Sequence, residues 1–240
     1  MDTIRRKFIE ALKATNTSEI IEQMDRDGEL EKIFPHILEM KKIGKCRFHV
    51  VDSFTHSMNA LKELEKVINE KFFPNHLVEF VRDDIYTQVD DEFKKVELLK
   101  LATFLHDMGK PRSMTVGEDG NAHFKGHEKI GADMLHDVIA EFKISEKAEE
   151  IVHKYIEYHM MLLEFYKNDN MGKKVLYKAF RKVGPDIAGV MIIGYSDVVC
   201  TRRLIYENEN YGVLRTYIDY ALTSYYYRFD EEISTENQIY

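Results

Sequence analysis

This chain has few cysteines, few prolines, no leader-like start and no positive net charge, and each absence closes off a class of protein. Its 240 residues include two cysteines, Cys46 and Cys200, too few for a disulfide framework. Neither sits in a CxxC pair that would point to structural zinc or redox chemistry. The start, Met1-Asp2-Thr3-Ile4-Arg5-Arg6-Lys7-Phe8, lacks the apolar region of a signal peptide. No apolar stretch approaches the ~20 residues that span a bilayer. A cytoplasmic protein without a membrane partner is therefore expected. The net charge of −8 makes the whole-molecule field repel a long polyanion. One local exception is the cluster Lys167, Lys173, Lys174, Lys178, Arg181 and Lys182, opposed mainly by Asp169, with Arg202 and Arg203 further on. A solvated helix face is its simplest reading.

With 44% hydrophobic and 32% charged residues, the chain suits one globular domain with a real core. Only four prolines and no repeat or low-complexity segment interrupt a pattern that is helical almost throughout. The spacing predicts helices over 4–14 and 18–34, a Lys-rich loop over 41–47, and a long helix over 52–70. That last helix carries Phe54, Met58, Leu61, Leu64 and Ile68 at three- and four-residue intervals. A helix over 93–107 follows and stops at Gly109-Lys110-Pro111. Ser113 to Val116 and Asn121 to Phe124, around Gly117-Glu118-Asp119-Gly120, read as one β-hairpin. Helices over 127–142, 145–163, 171–182 and 186–225 complete an all-α fold. The expected division is an N-terminal helical arm over 1–47 packed on the core, a main domain over 48–228 and a polar tail over 229–240.

The strongest functional signal is the pair His106-Asp107. It ends the run Leu98-Leu99-Lys100-Leu101-Ala102-Thr103-Phe104-Leu105, which is apolar on nearly every side. Such a helix belongs in an interior, where an unpaired charge is costly, and a divalent cation is the natural compensation. His159 shares the inward stripe of Val152, Tyr155, Ile156 and Leu163, as a hydrogen-bonded core residue or as a ligand. Asp197 is the one carboxylate in the apolar run 187–200, and a carboxylate is rarely buried alone. A salt bridge to Arg202 or Arg203 competes with metal ligation there, and the five-residue step to Arg202 favours the metal. His127, at a loop-to-helix junction after Lys125-Gly126, is weak evidence alone. His56 lies off the leucine stripe and by itself reads as a surface or capping residue. His136-Asp137 and Asp25-Arg26-Asp27 look solvated and are set aside.

Together, His56, His106-Asp107 with Gly109-Lys110, and Asp197 resemble the signature of the HD-domain superfamily of metal-dependent phosphohydrolases. More closely, the run 48–57 with Leu105 to Pro111 and Phe124 to Glu128 is similar to the HD domain attached to bacterial CCA-adding tRNA nucleotidyltransferases. The likeness extends from about Ser18 to Arg203. It implies an HD-domain helical bundle with a central metal site, with His56, His106, Asp107 and Asp197 as direct ligands. His127 and His159 match positions where two-metal relatives place further ligands. The residues before the likeness are too few for the nucleotide-adding head of those polymerases, so a hydrolase or a binder is expected rather than a template-independent polymerase.

The implied chemistry is hydrolysis by metal-activated water, with one or two ions drawn from Mg, Mn, Fe, Ni, Co or Zn. Asp107 would lie between two ions if both are present. Lys110 either neutralises charge on the transferred phosphoryl group or caps a helix C-terminus, and Lys125 and Arg202 are further phosphate-binding candidates. The expected substrate is a small nucleotide-like phosphomonoester or phosphodiester, including 2',3'-cyclic ends, and tRNA is a further partner to consider. The alternatives are an RNA- or phospholigand-binding module with a structural metal site, and a helical domain that forms a homodimer through Tyr217 to Tyr227.

Overall fold

The structure is a computed structural model that describes residues 1–43, 50–69, 71–118, 120–206 and 211–229, without the side chain of Arg228. Cys46, the end of the Lys-rich loop, Phe48-His49, Asp119 and the tail from Asp230 lie outside the described residues.

The fold is all-α with one short hairpin. Two helices run through its centre because they carry almost no polar face. Helix α7 (Lys95–Leu105) buries every residue but Glu97, and Glu97 instead accepts the N–H of Lys94 to close the helix start. Helix α13 (Ile187–Ile205) is buried continuously from Ile187 to Cys200. Between them lies α5 (Ser53–Asn69), capped by Asp52, whose carboxylate accepts the N–H and hydroxyl of Thr55 at 2.9 and 2.8 Å. Around this centre stand α1 (Asp2–Lys13), α2 (Thr17–Arg26), the short turns α3 (Leu30–Ile33) and α4 (Ile37–Met40), α6 (Asn75–Ile85), α8 (Lys110–Ser113), α9 (His127–Ile139), α10 (Glu146–Tyr158), α11 (Met161–Asn168), α12 (Lys173–Val183) and α14 (Gly212–Ser224). The hairpin pairs β1 (Thr115–Val116) with β2 (Ala122–His123), antiparallel with Thr115 opposite His123. One apolar core runs through all of it, from Phe8 to Phe229.

Several expected boundaries move. The helix predicted over 18–34 is two helices, because Gly28 adopts φ +64° and the N–H of Glu29 bonds back to Met24 O at 2.9 Å. The helix over 145–163 breaks at His159-Met160 into α10 and α11, and the helix over 186–225 ends at Ile205 and resumes as α14 at Gly212. Helix α7 ends ahead of Gly109-Lys110-Pro111 as expected, but a short helix then begins at Lys110. After a turn at 106–109, Pro111 enters the first turn of α8, where its missing N–H costs nothing. Helix α6 was not anticipated, although Leu77, Val81 and Ile85 recur at four-residue spacing behind Pro74. Nor does the chain lack a bilayer-length apolar segment. The described run Lys173–Ile205 is long and apolar enough to cross a membrane by length and composition alone, but 89% of its apolar window is buried inside the fold.

Polar groups inside the core hold its parts together. Lys100 sends its ammonium to the carbonyls of Leu12 and Ala14 at 2.9 and 2.6 Å, tying the end of α1 to α7. Lys95 meets Asp84 at 2.6 Å and Asp186 at 3.0 Å, which links α6, α7 and the start of α13.

His36, beside Phe34, is the opposite case: its Nε2 is buried without a partner. Burial, with Arg112 nearby, lowers its pKa from 6.5 to about 4. Between those values the unfolded chain binds a proton that the folded chain refuses. Stability therefore rises with pH across that window and falls on acidification, by up to about 1.4 kcal/mol per pH unit. Urea midpoints measured between pH 4 and 6.5 should show a shallower slope in His36→Leu than in the parent, and an unchanged slope would refute the assignment.

Candidate metal centre

Five helices or their ends deliver six side chains to one place. His56 comes from the second turn of α5, His106 and Asp107 from the turn that ends α7, and His127 from the first residue of α9. His159 comes from the corner between α10 and α11, and Asp197 from the middle of α13. All six are buried, with at most 9% of any one exposed.

The imidazoles are oriented from behind. Nδ1 of His106, His127 and His159 lies 2.8, 2.8 and 2.7 Å from the carbonyl three residues earlier, on Thr103, Phe124 and Ile156. A carbonyl only accepts, so each Nδ1 carries a proton, and in the neutral ring Nε2 is the atom left free to act as a ligand. His56 is held differently, by side chains of α13: its Nδ1 lies 3.2 Å from Thr201 Oγ1 and 3.5 Å from Cys200 Sγ.

The Nε2 atoms then converge. His56 and His106 approach to 3.2 Å, as do His127 and His159. Asp197 Oδ1 is 2.7 Å from His56 Nε2 and 3.6 Å from His106 Nε2. Asp107 spans the two histidine pairs. Its Oδ2 lies 3.4 Å from His56 and 3.5 Å from His106, and its Oδ1 lies 3.3 Å from His127. Lys110 Nζ stands 2.6 Å from Asp107 Oδ2 as an ion pair, yet that oxygen receives no aligned hydrogen bond. Facing lone pairs at such distances repel unless positive charge lies among them. Three overlapping triads, His56/His106/Asp107, His106/His159/Asp197 and Asp107/His127/His159, each bring their ligand atoms close enough to hold one ion. The mixture of imidazole and carboxylate donors suits a divalent transition metal.

Electrostatics agree with the geometry. Burial would raise the Asp107 carboxyl, but Lys110 and the surrounding histidines outweigh it and hold it well below the usual carboxylate range. Asp197 is likewise held well below that range, burial being outweighed by the hydrogen bonds from His106 and His56. His159 is pushed down to about 3 by burial and by the neighbouring His106 and His127, so it is neutral and available as a ligand.

The structure thus brings together all six sequence-predicted ligand candidates, and it corrects the separate reading of His56. Judged by helical phase, that residue belongs on the surface; in the fold it is 1% exposed. The salt-bridge alternative for Asp197 is not formed: Arg203 instead makes a two-point pair with buried Glu63 at 2.9 and 3.1 Å, and Arg202 lies over the Tyr166 ring at 4.8 Å. Lys110 faces the Asp107 carboxylate, and Lys125 is exposed in the loop before α9. His136 and Asp137 are exposed, as expected. Sequence reading missed Thr201 and Cys200, whose four- and three-residue steps from Asp197 place them behind His56. It also missed Gly194, where a Cβ would come within 2.8 Å of the His159 carbonyl; a glycine in an otherwise apolar helix is the signal that can reveal such a contact.

Residues 53–179, more than half of the chain, match the family model described as HD domain. An A-adding tRNA nucleotidyltransferase of Deinococcus radiodurans is 22% identical over 192 residues, covering 80% of this chain and 38% of that protein. A bifunctional uridylyltransferase/uridylyl-removing enzyme of Vibrio cholerae is 28% identical over 162 residues, covering 66% of this chain and 16% of that one. The chain therefore spans well under half the length of either relative.

Proposed function

The chain belongs to the HD domain family, and on that premise we propose that its buried histidine–aspartate cluster is the divalent-metal centre of a phosphohydrolase acting on nucleotide-like phosphomonoesters or phosphodiesters, 2',3'-cyclic ends included. One observation carries the reading: four imidazole Nε2 atoms and two carboxylates are aimed into a single buried space. His56, His106, Asp107 and Asp197 would hold one ion, and His127 and His159 would join Asp107 in holding a second. When bound, a divalent ion lowers the pKa of water and polarises a phosphoryl oxygen. The protein's own contributions are orientation and charge. The carbonyls of Thr103, Phe124 and Ile156 place a proton on Nδ1 of three imidazoles, and the Thr201 hydroxyl holds Nδ1 of the fourth. Lys110, whose ammonium reaches the Asp107 carboxylate, stands where it can neutralise negative charge gathering on a transferred phosphoryl group. Arg202 and Lys125 are the candidates for gripping a second phosphate or a sugar-phosphate end. The two relatives, one a uridylyl-removing enzyme and the other a tRNA nucleotidyltransferase, support a nucleotidyl group or an RNA end as substrate.

The test is hydrolysis of nucleoside mono-, di- and triphosphates, 2',3'-cyclic nucleotides and a generic phosphodiester by metal-stripped protein resupplied with Mg, Mn, Ni or Co. Turnover that depends on added metal is expected for at least one nucleotide class. No turnover with any substrate and metal would overturn the reading.

A further inference from the structure

The outer face of α12 has no role in the metal centre and is costly to keep. It exposes Lys173, Lys174, Lys178, Arg181 and Lys182, and the helix contains no acidic residue. Lys174 and Lys178, and Lys178 and Lys182, repeat at four-residue spacing, where like charges oppose helix formation. Lys173 and Lys174 also sit in the first turn, against the helix dipole. The acidic residues flanking the helix in sequence are already engaged. Asp169 accepts the Tyr217 hydroxyl at 2.6 Å, and Asp186 is held by Lys95 and Lys154. All this stands in a chain of net charge −8, so the patch is a local reversal of the molecular field.

We propose that α12 is a docking face for the sugar-phosphate backbone of a nucleic-acid strand. Three features select this occupant. The charges form a stripe, Lys174, Lys178 and Arg181, whose steps of roughly 4.5–6 Å along the helix axis are comparable to the separation of successive phosphates. Aromatic rings are interleaved with it: Lys173 lies over Tyr177 at 4.8 Å and Lys182 over Tyr158 at 5.7 Å, a mixture suited to a strand that offers both phosphates and bases. Finally, the apolar side of the helix is already committed. Leu176, Ala179, Phe180 and Val183 are buried, and Phe180 packs edge-on against Tyr225 and Phe229. The helix therefore has no apolar face to insert into a lipid surface. Lys182, beside the stripe, lies over Tyr158, the chain neighbour of His159 on the corner that supplies the metal centre. Docking here does not depend on the phosphohydrolase reading, and the two can fail separately.

The experiment compares the full chain with the triple variant Lys174→Glu, Lys178→Glu, Arg181→Glu, and with the neutral triple Lys174→Gln, Lys178→Gln, Arg181→Gln. Binding to fluorescein-labelled single-stranded RNA, and to DNA of the same sequence, is followed as salt is raised, with helicity checked by circular dichroism. The parent should bind with strong salt dependence. Both triples should weaken binding at least tenfold, and the slope of log K against log salt should fall by about 2, the value for three lost contacts at 0.7 each. Comparison of RNA with DNA identifies which strand is preferred. Absence of binding by the parent, equal affinity in folded triple variants, or tighter binding of the parent to phosphatidylserine vesicles than to either strand would each overturn the proposal.

Discussion

Asp107→Ala should abolish metal-dependent turnover, with a loss on the order of a thousandfold or more, because it removes the carboxylate that stands within 3.5 Å of both histidine pairs. No other side chain in the cluster reaches His56, His106 and His127 at once, at 3.4, 3.5 and 3.3 Å. The same change should destabilise the metal-free protein. Lys110 is 3% exposed and its ammonium faces Asp107 at 2.6 Å, so alanine removes one side of a buried ion pair, at a cost of about 3–5 kcal/mol. The two consequences separate in a double variant. Asp107→Ala with Lys110→Met should recover much of the lost stability in urea unfolding and none of the turnover. A double variant that regains activity would show that Asp107 supports the fold rather than the chemistry.

The second large effect falls on a residue with no functional group. Gly109 has an ordinary φ of −78°, so its backbone does not require glycine. The space around it does: a Cβ there would lie 2.1 Å from the His127 carbonyl oxygen and 2.5 Å from the Gly131 nitrogen. These are backbone atoms of α9 and cannot swing aside. Gly109→Ala must push the start of α9, with His127, away from the turn that carries His106 and Asp107, and a displacement of roughly 1 Å at a reacting centre costs about a hundredfold. Overpacking against backbone should also cost about 1–3 kcal/mol or more. Gly172→Ala is the control, since its nearest neighbour is 3.4 Å away and belongs to a side chain. Turnover and melting temperature of the two variants check the claim. Equal behaviour would mean that the contact between the turn and α9 does not set the geometry of the site.

What the sequence reveals of this site depends on how many faces each helix buries. His106-Asp107 is legible because α7 is apolar all round, and Asp197 because it interrupts an apolar run in α13. His159 lies on a single clear stripe of α10. His56 misleads because α5 is buried on more than one side: Ser53, Ser57 and Ala60 are as enclosed as Leu61 and Leu64. Small polar residues there make room for α13 and mimic a solvent face, so helical phase alone places His56 outside, and only the resemblance to HD domains corrects it. The breaks at Gly28 and at His159-Met160 are hidden for a related reason. Amphipathic spacing continues across them while the chain changes direction. Thr201, Cys200 and Gly109 act through positions distant in sequence, which neither periodicity nor local motif encodes.

The account rests on the cluster holding metal, and a calorimetric titration of metal-stripped protein with Mn, Co or Zn tests that most directly. It predicts one or two ions bound per chain in the parent, with binding weakened at least tenfold in Asp107→Asn and in His56→Ala while helicity is retained. Absence of tight binding in the parent, or binding of equal strength and stoichiometry in both variants, would contradict it.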